Sequence, residues 1–295
     1  MLATLLTLPL RLLTFDLDDT LFPCAPVVAR ANAALGVALS ERGAPGLDGK
    51  AIQDRMKVVR AQLEAKVTYT ELRTLGIESL LTDTGAYESA KSEAAACFDV
   101  WLDERQAAAN DLLYPGAAGA LGAIRAAQPQ VLIGAVTNGR GDPREMPALA
   151  GVFDFYLSGE EEGVFPSNKP APLFYAETLQ RARRVLESRD GSMDAAECID
   201  ALRASWVHVG DSLVNDVAAS NAAGAETVWL CHRDDVDAPA FSTVSPKEAA
   251  RRAAAAEAVL NTGCVGTTIE AIAELPTALE ELLTLRGGSV AQSLL

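Results

Sequence analysis

Three short apolar runs, each followed directly by polar residues, restrict the fold of this chain more than any other feature of its sequence. They are residues 11–15 (RLLTF), 131–136 (VLIGAV) and 206–209 (WVHV). Runs this short and apolar are typical of strands buried on both faces of a sheet. Polar residues at the end of such strands predict a ligand site at one edge of that sheet.

Helical periodicity fills the spaces between the predicted strands. Two more strands are predicted at 153–157 and 227–230, and helices at 117–127, 171–186 and 216–223. Strand and helix therefore alternate along the second half of the chain. This alternation predicts an α/β fold with a doubly wound, mostly parallel sheet and helices on both of its faces.

The region between the first predicted strand and residue 112 follows a different pattern. Apolar residues recur at helical spacing over 51–65 and 87–101, and no convincing strand lies between them. We therefore predict a helical insert at residues 24–111, with residues 1–23 and 112–295 forming the α/β core.

The polar residues after the strands should lie close together, because the carboxyl ends of parallel strands meet at one edge of the sheet. A lysine that precedes a proline and a helix is predicted on the same side. The residues concerned are Asp16, Asp18, Thr137, Asn138, Asp211, Asp216 and Lys169.

Several carboxylates at one point repel one another unless a cation lies between them. Because only oxygen ligands are available there, the set favours a hard ion such as Mg²⁺ over zinc or copper. One carboxylate can attack phosphorus, and a second can donate a proton to the leaving oxygen. A hydroxyl, backbone N–H groups and a lysine can hold the phosphoryl oxygens. The pattern thus indicates phosphoryl transfer.

The order of these motifs resembles that of the haloacid-dehalogenase-like superfamily over residues 11–22 and 112–232. The resemblance implies that Asp16 is the nucleophile and a metal ligand. It also implies that Asp18 is the general acid/base and binds the metal through its carbonyl. Dehalogenase members lack an acid at the position of Asp18, since halide displacement needs no leaving-group proton. The resemblance therefore points to a phosphatase.

The remaining motifs carry further implied roles. Thr137, Asn138 and Lys169 correspond to phosphate-binding positions, Asp211 to a metal ligand and Asp216 to a supporting carboxylate. The helical insert resembles the family's helical cap, which closes over the site and contacts the substrate. Mg²⁺ is the implied cofactor.

Three phrases around these motifs resemble the phosphatases that act on flavin mononucleotide and related riboflavin-pathway phosphates. They are LLTFDLDDTLF, AVTNGRGDP and HVGDSLVNDV. The expected partner is a small phosphorylated metabolite. A sugar-phosphate phosphatase, a phosphomutase or a dehalogenase on the same core stays open as an alternative, and so does a non-catalytic phosphate-binding protein.

Composition bounds the partners and the compartment. A formal net charge of −15 disfavours a nucleic-acid partner, and no apolar run approaches the length of a membrane span. The five scattered cysteines form no C-x-x-C pair and indicate a reduced intracellular setting, either the cytoplasm or an organelle stroma or matrix. The oligomeric state is open, with a monomer favoured.

Several conspicuous residues have simpler interpretations than a place in the site. Residues 160–162 (EEE) are interpreted as a solvated loop, His208 as a core residue, and the cysteines as small core residues. Aromatic residues of the insert are expected to pack inside it rather than stack on a flavin. Segments 181–204 and 246–262 have no evident role, and residues 1–10 suggest an added strand or a leader. The aromatic residues in question are Tyr69, Tyr87 and Trp101.

Overall fold

The computed structural model describes residues 10–85, 89–191, 194–232 and 246–293. Six parallel strands form one sheet in the order β3-β2-β1-β4-β5-β6. The prediction of a doubly wound, mostly parallel α/β sheet is confirmed. The strands are β1 (Leu12–Phe15), β2 (Leu132–Thr137), β3 (Phe155–Ser158), β4 (Trp206–Gly210), β5 (Glu226–Leu230) and β6 (Thr267–Ile269).

Ten α-helices accompany these strands in the described residues. They are α1 (Cys24–Glu41), α2 (Gly49–Gln62), α3 (Tyr69–Thr84), α4 (Ala90–Asp111), α5 (Ala117–Ala127), α6 (Pro172–Asp190), α7 (Ala195–Ala204), α8 (Ala219–Ala222), α9 (Pro246–Leu260) and α10 (Leu275–Ser293). None of the helices in the described residues combines the length and the apolar character that crossing a bilayer requires.

Strand β1 lies at the centre of the sheet, and all four of its residues are fully buried. Its alternating side chains enter two separate apolar clusters. Leu13 and Phe15 pack with residues of α5 and α10, whereas Leu12 packs with residues of α6 and α7. Because helices cover both faces, a continuous apolar sequence is stable there without polar alternation.

The four helices α1–α4 lie between β1 and α5 and form the helical insert. Their apolar residues build a cluster of their own, which includes Leu35, Ile77 and Trp101. Helix α3 begins with a capping box. In it the main-chain N–H of Glu71 donates to Thr68 Oγ1 (3.0 Å), and that of Thr68 donates to Glu71 Oε2 (2.8 Å).

The structure corrects several predicted boundaries. The strand predicted at 153–157 is Phe155–Ser158, and the helix predicted at 51–65 is Gly49–Gln62. The helix predicted at 216–223 begins earlier, as a π-helical turn at Leu213–Ala218 that α8 continues. The helix predicted at 87–101 runs from Ala90 to Asp111, because polar residues on its exposed face obscure the periodicity.

Segments without an assigned role belong to the core layers. Residues 181–204 contain the end of α6 and all of α7, which cover one face of the sheet. Helix α9 lies within 246–262 and packs against the π-helical turn after β4. Of the residues 1–10, only Leu10 lies among the described residues, and it is buried.

Candidate active site

Three strand ends bring the predicted polar residues together. Asp16 follows β1, Thr137 ends β2, and Asp211 follows β4, with β1 between the other two strands. The chain turns sharply after Asp16, where Asp19 takes a φ of +60°. The Asp19 carboxylate accepts a 2.7 Å hydrogen bond from the N–H of Cys24 at the start of α1. This turn links the site directly to the insert.

Carboxylate oxygens of Asp16, Asp211 and Asp216 all lie within 4.8 Å of one another. Thr20 Oγ1 donates to Asp16 Oδ2 (3.3 Å) and lies 3.5 Å from Asp211 Oδ1. Such a set of hard oxygen donors suits a divalent cation that prefers oxygen ligands. The cluster could therefore hold a metal ion.

Lys169 is the cation within this cluster. Its buried ammonium donates to Asp16 Oδ1 and to Asp216 Oδ1, the latter at 2.6 Å. The residue stands at a Lys-Pro step just before α6, as the sequence predicts. A lysine between two carboxylates fixes both of them and stays charged itself.

Asn138 holds the main chain of Lys169. Its Oδ1 accepts from the N–H of Lys169 (2.7 Å), and its Nδ2 donates to the carbonyl of the same residue (3.1 Å). The sequence suggested that Asn138 contacts phosphate. In the structure, both polar atoms of the side chain bond to the main chain of Lys169.

Thr137 is 1% exposed at the end of β2, and its Oγ1 accepts a 3.2 Å hydrogen bond from the N–H of Gly139. Its neighbour in the sheet is Ser158 on β3. The structure thus places the Thr137 hydroxyl at the same strand edge as Asp16.

Burial and unbalanced charge dominate the electrostatics of the cluster. Burial raises the pKa of Asp16 to about 7, although Lys169 opposes the shift. Burial and the charges of Asp216 and Asp16 raise the pKa of Asp211. Ionising all three carboxylates around one lysine would leave an excess of negative charge, and a divalent cation would neutralise it.

Asp216 is the carboxylate with the most partners. Burial alone would raise its pKa, but Lys169 and His208 lower it to about 2. Its Oδ2 also accepts from the N–H of Ser212 (3.0 Å). Gly210 is needed beside it, since a Cβ there would lie 2.4 Å from Asp216 Cγ.

His208 lies in the core, as predicted, and connects Asp216 to a buried hydroxyl. Its Nε2 lies 3.3 Å from Asp216 Oδ1, and its Nδ1 lies 2.8 Å from Thr14 Oγ1. Trp206 Nε1, which can only donate, donates a 2.8 Å hydrogen bond to the oxygen of that hydroxyl. An ionised Asp216 requires a proton on Nε2, so Thr14 donates to Nδ1. The sequence placed His208 in a strand but gave no sign of this contact.

Asp18 stands apart from the carboxylate cluster. Its Oδ1 accepts a 2.7 Å ion-paired hydrogen bond from Nη2 of Arg105, a residue of α4 whose side chain is 5% exposed. Gly141, with a φ of +118°, leaves room for this guanidinium, because a Cβ there would lie 2.4 Å from Arg105 Nη1. Sequence reasoning missed Arg105, which sits among other charged residues on an amphipathic helix.

A cleft of about 1370 Å³ opens between the sheet edge and the insert. Lys169 and Asp211 of the core line this cleft, and so do three exposed cations of the insert. These three cations, defined here as the cleft cations, are Lys57, Arg60 and Lys66. They make the cleft locally positive on a protein whose formal net charge is −15.

Two of the simpler interpretations hold only in part. Trp101 packs inside the insert, 5.8 Å from the Phe98 ring, as predicted. Tyr69 is 53% exposed and lines the cleft, so the prediction that it packs inside the insert is wrong. Tyr87 lies outside the described residues. Cys97 and Cys198 are buried, whereas Cys24, Cys231 and Cys264 are only half-buried.

Glu160 is not the solvated residue that the sequence suggested. Its side chain is only 4% exposed, and its carboxylate accepts from the N–H groups of Tyr69 (3.1 Å) and Thr70 (3.4 Å). These N–H groups belong to the first turn of α3, where the helix dipole favours an anion. Glu160 therefore joins the loop after β3 to the insert, while Glu162 is exposed.

Comparison with known proteins gives one family and a set of similar structures. The family model for a haloacid dehalogenase-like hydrolase matches residues 10–224. A search of curated proteins found no match.

Two solved structures illustrate the similarity. A 2-haloacid dehalogenase from Pseudomonas syringae pv. Tomato DC3000 is 25% identical with a TM-score of 0.62, over 92% of this chain and 99% of that one. The putative HAD-hydrolase YfnB from Bacillus subtilis, bound to magnesium, is 20% identical with a TM-score of 0.50, over 92% and 98% of the two chains. The second similarity concerns the fold alone.

Proposed function

Because the chain belongs to the haloacid dehalogenase-like hydrolase family, we propose that it is a Mg²⁺-dependent phosphomonoesterase with Asp16 as its nucleophile. The observation that carries this proposal is the buried cluster in which Lys169 bonds Asp16 while Asp211 lies close by. A carboxylate that a lysine holds beside a cation site is suited to attack the phosphorus of an anionic phosphoryl group, because the two positive charges offset the negative charge of the phosphoryl oxygens.

In the proposed reaction, Asp16 attacks phosphorus as the bond to the leaving oxygen breaks. Asp18 gives its proton to that oxygen, and an alcohol departs. Asp18 then removes a proton from water, which attacks the phosphorus of the phospho-aspartate. The P–O bond to Asp16 breaks and inorganic phosphate is released. Arg105 would orient the Asp18 side chain by its 2.7 Å hydrogen bond to Oδ1, which leaves the other carboxyl oxygen to carry the proton.

Asp16, Asp211 and the main-chain carbonyl of Asp18 would hold Mg²⁺. The fit depends on the donors present, which are carboxylate oxygens whose ionised form a divalent cation would stabilise. When bound, Mg²⁺ neutralises part of the charge on the phosphoryl oxygens. Asp216 is left as a supporting carboxylate, because Lys169 and His208 already engage it.

Thr137 and Lys169 would hold the phosphoryl oxygens, and Asn138 would keep Lys169 in place. The helical insert would act as a cap that closes over the cleft and excludes water. The cleft cations would guide an anionic substrate toward Asp16. The proposed partner is a small phosphorylated metabolite, with flavin mononucleotide and related phosphates among the candidates.

A dehalogenase is the second candidate, favoured by the 25% identity to a 2-haloacid dehalogenase. Halide leaves without a proton, so a dehalogenase reaction does not need Asp18 as a general acid. Asp18 nevertheless lies at the site, next to the loop after β2, where a Cβ on Gly139 would be 3.4 Å from its Oδ2. We therefore favour the phosphatase, and product analysis separates free phosphate from released halide or an isomerised phosphate.

The test compares Asp16→Asn with the parent on 4-nitrophenyl phosphate and on a panel of phosphorylated metabolites that includes flavin mononucleotide. We expect phosphate release by the parent with Mg²⁺, none after chelation, and a loss of about 10³-fold or more in the variant. Asp99→Asn, an exposed carboxylate on α4, is the matched control and should retain full activity. A variant as active as the parent refutes the proposed nucleophile. Halide release from 2-haloacids without phosphatase activity would favour the second candidate.

A further inference from the structure

Two arginines of the insert are buried near the site. Arg73 on α3 is 8% exposed and Arg105 on α4 is 4% exposed. Arg105 pairs with Asp18, but Arg73 has no such carboxylate partner among its contacts in the described chain. Arg73 Nη1 lies 3.5 Å from Asn32 Oδ1, and its guanidinium stacks 3.9 Å from the centre of the Trp101 ring.

The surroundings of these guanidinium groups contain donors without acceptors. Arg105 Nη1 and Asn32 Nδ2 are buried and have no hydrogen-bond partner among the described residues. Asn32 Oδ1 is occupied by the 2.9 Å hydrogen bond from Trp101 Nε1. Buried N–H groups in a folded protein are normally paired, so this excess of donors indicates an acceptor supplied from outside the chain.

The positive charges of Arg73 and Arg105 also indicate an anionic partner. Burying a cation without a counter-ion is costly, and two neighbouring cations add repulsion. Burial and the charge of Arg105 lower the pKa of Arg73 to about 10, with Glu160 partly opposing them, so Arg73 stays charged at neutral pH. An anion beside Arg73 and Arg105 would remove both penalties.

We propose that Arg73 and Arg105 form a subsite for a second anionic group of the substrate, a carboxylate or a second phosphate. This inference rests on the proposed function and deepens it. The preferred substrate is a phosphomonoester of an acidic alcohol. Flavin mononucleotide, whose ring system is uncharged at neutral pH, is disfavoured.

Geometry explains why the subsite faces the alcohol portion of the substrate. Arg105 contacts Asp18, and Asp18 is the group that protonates the leaving oxygen. A group bound beside Arg105 is therefore attached to the leaving alcohol. The Arg73 guanidinium lies over the ring of Trp101, 3.9 Å from its centre. A guanidinium can donate two parallel hydrogen bonds to a carboxylate or a phosphate. Arg73 is thus a specificity-determining residue.

The experiment measures kcat/KM for 2-phospholactate and for its primary amide, which lacks the negative charge. We expect the parent to prefer the acid by about 10-fold or more, and Arg73→Met to bring the ratio close to one. Activity of both proteins on 4-nitrophenyl phosphate, which carries no second anionic group, provides the reference rate for each. Propane-1,3-diol bisphosphate against the monophosphate repeats the comparison for a second phosphate.

Arg55→Gln is the matched control, because Arg55 is an insert arginine paired with Asp83 away from the site. It should keep the parent's ratio. If circular dichroism shows that Arg73→Met folds poorly, Arg73→Lys replaces it. Lysine keeps the positive charge but lacks the paired N–H donors of the guanidinium, so we expect an intermediate ratio. A parent that hydrolyses the amide and the acid equally well, in both the carboxylate and the phosphate series, overturns the inference.

A binding measurement separates this inference from the proposed function. In Asp16→Asn, titration with 2-phospholactate should change the fluorescence of Trp101, and the change should vanish with Arg73→Met or Trp101→Phe. Saturable, Arg73-dependent binding without hydrolysis of any phosphomonoester by the parent would refute the phosphatase alone. Hydrolysis without that binding would refute the subsite alone.

Discussion

At the scale of single residues, Asp16 follows the central strand of the sheet and lies in an environment that disfavours its ionised form. It is 7% exposed, and burial raises its pKa to about 7 although Lys169 is bonded to it. Its carboxyl group is therefore protonated in the metal-free folded protein at pH values where the unfolded chain has already ionised it. Ionising the carboxyl group of the proposed nucleophile is therefore unfavourable without a cation beside it.

This difference predicts a pH dependence of stability in the metal-free protein. Between pH 5 and 7 the folded state holds a proton on Asp16 that the unfolded state has lost, so the Asp16 contribution to the free energy of unfolding falls as the pH rises. Asp16→Asn removes that contribution. The stability of the variant relative to the parent should increase with pH, by at most about 1.4 kcal/mol per pH unit.

Urea unfolding in EDTA at pH 5, 6, 7 and 8 measures the difference. Asp99→Asn should show a constant difference from the parent, because this residue is exposed. Saturating Mg²⁺ should abolish the trend for Asp16→Asn. A difference between that variant and the parent that does not vary with pH in EDTA would show that Asp16 is ionised in the folded protein.

At the scale of elements, the start of α3 depends on a residue from the core. Glu160 adds a second cap to a helix that already has its own capping box. We predict that Glu160→Ala lowers the free energy of unfolding by about 1–2 kcal/mol, because the first N–H groups of α3 lose an acceptor and a favourable charge.

Thermal unfolding and hydrogen exchange test this prediction. The amides of Tyr69 and Thr70 should exchange faster in Glu160→Ala, while the strands of the sheet keep their protection. Glu162→Ala changes an exposed glutamate of the same run and should match the parent in both measurements. Equal effects of the two substitutions would mean that Glu160 makes no specific contribution.

The same elements show what sequence reasoning can and cannot reach. Strands β1, β2 and β4 were predictable because both faces are buried, which leaves a continuous apolar run before each polar cluster. Strand β6 has only three residues, one of them exposed, and offers too little pattern. The site residues that follow strands were foreseen for the same reason.

Arg105, Arg73 and the buried contacts of Glu160 were not foreseen. Each lies in a segment with other charged residues, and helical periodicity does not say which charged side chain turns inward. Their burial is decided by how the insert packs on the core, which is a tertiary effect. Asn138 was recognised as a site residue, but its contact with the Lys169 main chain depends on the approach of two loops 31 residues apart.

At the scale of the whole molecule, a net charge of −15 opposes the entry of an anionic substrate. The cleft cations act against this field close to the site. We predict that replacing Lys57, Arg60 and Lys66 by glutamine lowers kcat/KM for a phosphomonoester by about 10-fold at low ionic strength. The loss should shrink in 0.5 M salt, since screening weakens the repulsion by the rest of the surface.

The matched control replaces Lys50, Arg55 and Lys91 by glutamine, three cations of the insert that do not line the cleft. It changes the net charge by the same amount. Steady-state kinetics at two salt concentrations compares the variants. Equal losses in both would show that total charge, and not the placement of the cleft cations, governs substrate entry.

The wide separation of the site residues along the chain has a consequence for biosynthesis. Lys169 follows Asp16 by 153 positions, and ribosomes add about 5–20 residues per second. The ribosome therefore adds Lys169 roughly 8–30 s after Asp16, the proposed nucleophile. During that time the insert, whose helices contact one another locally, can fold. A nascent chain that stalls before residue 169 would contain Asp16 without its lysine partner, so the proposed site can be completed only late in translation.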